Sequence, residues 1–144
     1  MSTKHCIDVC NHLLRGERSA VETYDLALRD IDKSATPPEL ADIRTDHVNA
    51  LATLTENVRS MDGTPDLESE IWDTFAEASH DSAGSIDSRA ALKALEAGEK
   101  DARRDYESAL ADEDVMSECK AMIRSKLLPL VDQHIATLIR LQTE

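Results

Sequence analysis

Four residues of this 144-residue chain have chemistry at odds with their neighbours: Glu17, His47, Glu99 and His134. Each interrupts a run of apolar residues spaced by three and four, the period of one helix face. Two carboxylates and two imidazoles at matching depth can ligate a cation. They can also satisfy one another through charge and hydrogen bonds. A carboxylate in an apolar stripe with neither is costly, because an ion taken out of water must be paired or metal-bound.

The four sit in recurring surroundings. The stretch "GERSAVETY" (16–24) returns 82 residues later as "GEKDARRDY" (98–106), so Gly16, Glu17, Ala20 and Tyr24 correspond to Gly98, Glu99, Ala102 and Tyr106. An Ala-Leu pair follows each copy. "HVNAL" at 47–51 is matched by "HIATL" at 134–138. The chain thus reads as one helix hairpin written twice, with glutamate in its first helix and histidine in its second. Tyr24 and Tyr106 read as core tyrosines that hydrogen-bond a carboxylate. Gly16 and Gly98 read as points of close helix–helix approach, since glycine inside a helix otherwise costs about 1 kcal/mol. His5, His12 and His80 fall off the stripes and are expected at the surface.

The elements that must position the quartet follow from the same stripes. A first helix is expected from about Thr3 to Asp32, ended by "KSATPP". A second opens at "TPPE", with Thr36 as N-cap and Glu39 completing a capping box, and runs to Met61 before Gly63. In "TPDLESEIWDTFAEASH" a short helix of about four turns is expected, with Leu67, Ile71, Trp72 and Phe75 on one face. "DSAGS" breaks the chain. A third helix is expected from Asp87 to Ala111, then a turn at "DED", then a fourth from Asp114 to Leu141. Pro129 lies inside the fourth and predicts a kink or bulge. Short connections make each hairpin antiparallel. The long middle connection is expected to travel the length of the bundle. Glu99 and His134 are 35 residues apart and Glu17 and His47 are 30, which predicts a longer connection or longer helix ends in the second hairpin.

Composition narrows the function classes. The net charge is −13, which repels nucleic acid and anionic lipid and excludes both as expected partners. No leader and no membrane span are evident, so the cytoplasm is the expected compartment. Cys6, Cys10 and Cys119 read as reduced thiols packed as small apolar side chains. The length fits a single domain over 1–144. Leu67, Trp72 and Phe75 on a thinly covered helix point to a homodimer.

The doubled Gly-Glu-x-x-Ala-x-x-x-Tyr motif, with a histidine in the partner helix of each copy, resembles the ferritin-like superfamily of ferritins, bacterioferritins and rubrerythrins. Within it the chain is most similar to a group of small bacterial ferritin-like proteins sharing a domain of unknown function. These have a hairpin, a short middle helix carrying a Trp (here Trp72) and a second hairpin. The likeness covers about residues 5–142. It implies an all-α, ferritin-like four-helix bundle of two repeated hairpins, with a short crossover helix between the second and third long helices.

The resemblance also implies a di-iron site built from one Glu on each of two helices and Glu-x-x-His on each of the other two. There the chain departs. Three residues before His47 stands Arg44, and three before His134 stands Val131. Asp46 and Asp132 are turned away from the histidine face. Two Glu and two His suit one divalent ion at most, and Arg44 opposes even that. One reading is a buried polar cluster without metal, in which Glu17 or Glu99 pairs with Arg44 or a protonated histidine beside Tyr24 and Tyr106. The protein is then a non-catalytic structural or interaction protein without a cofactor. The other is a single divalent metal, zinc or iron, held by Glu17, His47, Glu99 and His134 in a metal-binding protein or oxidoreductase.

Overall fold

The computed structural model describes residues 3–80 and 86–144. The break expected at "DSAGS" and the surface position expected for the His80 side chain lie outside the described residues. Helix α1 (Thr3–Asp30) buries Cys6, Cys10, Leu13, Glu17, Ala20, Tyr24 and Ala27. Helix α2 (Glu39–Ser60) buries Leu40, Ile43, His47, Ala50, Leu54 and Val58. Both sets repeat every three or four residues, so each helix turns one continuous stripe inward. Helices α3 (Asp73–His80) and α4 (Ser88–Ala111) follow. The last rod is α5 (Ser117–Met122), a π-helical turn (Ile123–Leu127) and α6 (Leu128–Gln142).

The start of α2 differs from expectation. The capping box at "TPPE" does not form, and α2 starts at Pro38 without a side-chain cap. The Thr36 hydroxyl turns back instead and donates to the Asp32 carbonyl at 2.8 Å. A nearby free carbonyl competes directly with the helix N-terminus for a hydroxyl. At the other end of α2, Asp62 takes the left-handed conformation (φ 62°), and the Gly63 N–H bonds the Val58 carbonyl at 3.0 Å. These bonds close the last turn and satisfy carbonyls the helix leaves free.

Of the kink or bulge expected at Pro129, the structure forms the bulge. The Leu128 N–H reaches the Ile123 carbonyl, five residues back. A proline has no N–H to offer, and its ring crowds the carbonyl four residues before it. Widening the preceding turn accommodates both. The second hairpin's extra residues lie in this long rod and not in its connection, which spans only 112–116 between α4 and α5, against 31–38 between α1 and α2.

The crossover is not a four-turn helix. Residues 63–72 are non-helical, and only Asp73–His80 coil. The extended stretch is a strap tied to α1. Asn11 bonds the Thr64 carbonyl and the Asp66 N–H at 3.1 and 2.9 Å. Arg15 pairs with the Asp66 carboxylate at 2.6 Å. The Glu70 N–H reaches Ser19 and the Trp72 N–H reaches Thr23, each at 3.0 Å. Asn11, Arg15, Ser19 and Thr23 are spaced by four and form a polar row down one side of α1. That row supplies partners that the strap's backbone needs once it is not helical. Because contacts advance together along both segments, the strap runs parallel to α1 and along the bundle.

α1 packs against α2 and α4 against α6, while α3 lies on α4. One apolar cluster gathers Ile31, Leu40, Phe75, Leu92, Leu95 and Leu138. A second gathers Leu13, Leu14, Leu54, Ile123, Leu127 and Val131. A third, smaller one holds the three cysteines with Val58 and Val115. These thiols are free, and burial pushes Cys10 up to about 12, as befits inert packing groups. Among the described residues, no helix is long and apolar enough to cross a membrane.

Candidate functional site

Between the first two apolar clusters lies the polar quartet. Glu17, His47, Glu99 and His134 are all buried, none more than 3% exposed. Each comes from the middle of a different long helix, as the interrupted stripes require. The stripe pattern turns all four toward one axis, and the two hairpins bring them to the same depth.

His47 is the centre. Its Nδ1 lies 2.6 Å from Glu17 Oε2 and its Nε2 lies 2.7 Å from Glu99 Oε2. Both ring nitrogens face carboxylate oxygens, so the doubly protonated ring donates to both glutamates. Burial alone pulls its pKa down, but Glu99 and Glu17 outweigh it and hold the imidazolium well above its ordinary range. Glu99 is the converse case. Burial raises it, yet the charge of His47 and a hydrogen bond from His134 dominate, and its pKa falls to about 2. One buried cation thus sits between two buried carboxylates, an arrangement stable only because all three are paired.

The tyrosines cross between hairpins. Tyr24 on α1 donates to Glu99 Oε2 at 2.6 Å, and Tyr106 on α4 donates to Glu17 Oε1 at 2.7 Å. Burial and the adjacent glutamates push both phenols well above their usual pKa, so they remain proton donors.

His134 is placed differently. Its Nδ1 lies 3.2 Å from Glu99 Oε1, while its Nε2 lies 2.9 Å from Asp46 Oδ2. The Asp46 side chain is 36% exposed. Asp46 was not expected in the cluster, because one residue before His47 is about 100° around the helix. That rotation takes it off the α1 face, but α2 also borders α6, and the flank carrying Asp46 looks across at His134. A carboxylate one residue from a buried histidine was the available signal.

Arg44 does not belong to the cluster. It reaches outward to the Asp25 carboxylate at the surface, where both charges keep their water. His47 takes the cationic role that Arg44 was offered. Val131 is buried among Leu13, Leu54 and Leu127. One donor atom each of His47, Glu99 and His134 lie within 4.8 Å of one another, close enough for a common metal ion. Glu17 is outside that group.

The two glycines do not serve helix–helix approach. At Gly98 a Cβ would lie 2.1 Å from the Trp72 indole, which occupies the space. Trp72 also meets the edges of Tyr24 and His47, with ring centroids 5.9 and 6.1 Å away. At Gly16 a Cβ would meet nothing within 4 Å. Of the residues expected to support a dimer, Trp72 is half-buried and Phe75 fully buried within the chain, while Leu67 is 78% exposed. His5 and His12 lie near the surface beside Asp112 and Asp105.

Two antiparallel hairpins of long rods with buried Glu and His at mid-depth define a ferritin-like helical bundle. The solved structures agree: the chain matches a crystal structure of ferritin like, diiron-carboxylate proteins from Bacillus anthracis str. Ames with a TM-score of 0.66, at 18% identity, over 99% of this chain and 95% of that one. The profile of a domain of unknown function, DUF2383, matches residues 5–112, and the chain belongs to that family. No curated protein matches it.

Proposed function

We propose that this is a ferritin-like protein whose di-metal site is degenerate, and that the quartet serves as a polar core joining the two hairpins of a non-catalytic structural or interaction protein. The observation that carries this reading is His47. Its two nitrogens are engaged by Glu17 and Glu99 at 2.6 and 2.7 Å, and Tyr106 and Tyr24 cap the same carboxylates. The cluster is closed by its own charges.

The donor set does not fit a pair of metal ions. Two cations in one site need bridging carboxylates. At the two positions where the superfamily pattern would place them, Arg44 faces solvent beside Asp25 and Val131 lies in the apolar core. Metal analysis of protein purified without an affinity tag tests the proposal. Less than a tenth of an equivalent of transition metal, with unfolding unchanged by added iron(II) or zinc(II), is expected.

A second reading rests on the proximity of His47, Glu99 and His134 donor atoms. A single divalent ion, zinc or iron, would use one nitrogen from each histidine and a Glu99 oxygen. His47 would then give up a proton and one of its carboxylate bonds. One equivalent of bound metal, lost in His134→Ala, would establish this reading and overturn the first. A homodimer remains the simplest interaction we propose, with Leu67 available at the surface.

A further inference from the structure

The strap fills one side of the cluster and leaves the corresponding side open. Trp72 sits over Gly98, against Tyr24, with its backbone N–H on the Thr23 hydroxyl. In the recurrence of 82 residues, Gly98 corresponds to Gly16, Tyr24 to Tyr106 and Thr23 to Asp105. These three counterparts are also neighbours in space. Gly16 and Asp105 line a groove of about 610 Å³ together with His12, Arg15, Ser19 and the strap residues 67–70. A separate crevice of only about 10 Å³ shares Gly16 and Asp105 with it and is also lined by Tyr106 and Glu17. The volume falls in the range of small-molecule sites.

We propose that this groove binds a planar aromatic amine, with its ring over Gly16 towards Tyr106 and its ammonium on Asp105. The ring takes the place that the indole of Trp72 takes over Gly98. The charge follows from a change in the seat: where Thr23 offers a hydroxyl, Asp105 offers a carboxylate. His12 and Arg15 also stand in the groove where the recurrence has Ala94 and Ala97, and Arg15 is already paired with Asp66 at 2.6 Å. Glu68 and Glu70 in the same lining add to the attraction for a cation. Among the described residues the ion pair of Asp105 is with His12, at 3.5 Å with both side chains about half exposed, so an ammonium group can displace it.

Calorimetric titration of the full chain with tryptamine tests this. Saturable one-to-one binding is expected. Butylamine, with the charge and no ring, and indole-3-acetate, with the ring and the opposite charge, should each bind at least tenfold more weakly. Gly16→Leu, which fills the space over the helix, should weaken tryptamine at least tenfold. Asp105→Asn, a half-exposed, nearly isosteric change that leaves the core intact, should weaken it at least fivefold, so the proposal stays testable if the leucine variant fails to fold. Absence of saturable tryptamine binding overturns the proposal. So does binding that butylamine or indole-3-acetate matches, or an affinity unchanged by Asp105→Asn.

Discussion

Gly98 lies beneath the indole of Trp72, and Gly16, at the corresponding point of α1, faces empty space. The same motif is therefore finished in two ways. The two histidines differ in the same sense. His47 holds both buried glutamates, whereas His134 holds one and turns its other nitrogen to the half-exposed Asp46. The residue corresponding to Asp46 in the second hairpin is Gln133, which cannot carry the charge. A single strap connects the hairpins, and it lies along α1 with its aromatic end reaching α4. One connection can close only one of two equivalent seats. The difference teaches that recurrence in sequence supplies equivalent frames, while connectivity makes their surfaces unequal.

The largest effect should come from His47→Ala. It leaves Glu17 and Glu99 without their shared cation, at a cost of about 3–5 kcal/mol. His134→Ala should cost at least about 1 kcal/mol less, because Asp46 regains water. Urea unfolding of both variants gives the comparison. Equal losses would mean that the two histidines are energetically equivalent despite their different partners.

Next is Gly98→Ala. The methyl group must displace a rigid, packed indole, and overpacking of this kind costs about 1–3 kcal/mol. Trp72 is the chain's only tryptophan, so its fluorescence reports the displacement directly, with a shift to longer wavelength as water reaches the ring. An unshifted spectrum with unchanged stability would show that the seat is looser than its geometry.

The acid–base behaviour of the cluster sharpens the contrast further. His47 is held well above its ordinary value of 6.5. Its stabilisation is complete below pH 6.5 and is lost as pH rises towards the folded-state pKa, by at most about 1.4 kcal/mol per pH unit. Glu99 is lowered from 4.5 to about 2. Its stabilisation is complete above pH 4.5 and is lost as pH falls through that interval. The pair therefore contributes most between pH 4.5 and 6.5. Unfolding free energies measured from pH 3 to 9 should show this maximum, and His47→Gln should remove the decline on the alkaline side. A decline of the same slope in that variant would assign it to other groups.

The smallest effect is the counterpart of the glycine test. Gly16→Ala meets no neighbour and gains helix propensity, so it should stabilise by about 0.5–1 kcal/mol. Thermal unfolding should show a raised midpoint, opposite in direction to Gly98→Ala. A lowered midpoint would mean that the groove over Gly16 is closed in solution.

Much of the bundle was legible from local pattern. The stripes named the buried faces of all four rods, and the four residues that interrupt them are the four that meet. Pro129 announced the bulge, because a missing N–H acts within one helical turn. The failures share a cause as well. "TPPE" has the letters of a capping box, but Thr36 had a carbonyl of the preceding turn within reach. Residues 64–72 have helical spacing, yet Asn11, Arg15, Ser19 and Thr23 offered their backbone other partners. Arg44 was offered to the glutamates as an alternative to a protonated histidine, and Asp46 was withheld by its angle on the helix. Both judgements depended on which second helix each flank would face.

The sequence by itself determined the all-α class, the two hairpins and the depth of Glu17, His47, Glu99 and His134. These follow from periodicity, and periodicity is a property of one chain segment and its helix geometry. Only the tertiary structure decided that His47 is the shared cation, that Asp46 joins and Arg44 leaves, and that Trp72 covers Gly98 while Gly16 stays open. Those outcomes turn on distances between segments far apart in the chain. A buried charge takes whichever partner the packed helices bring within about 3 Å, and no spacing within one helix encodes that distance.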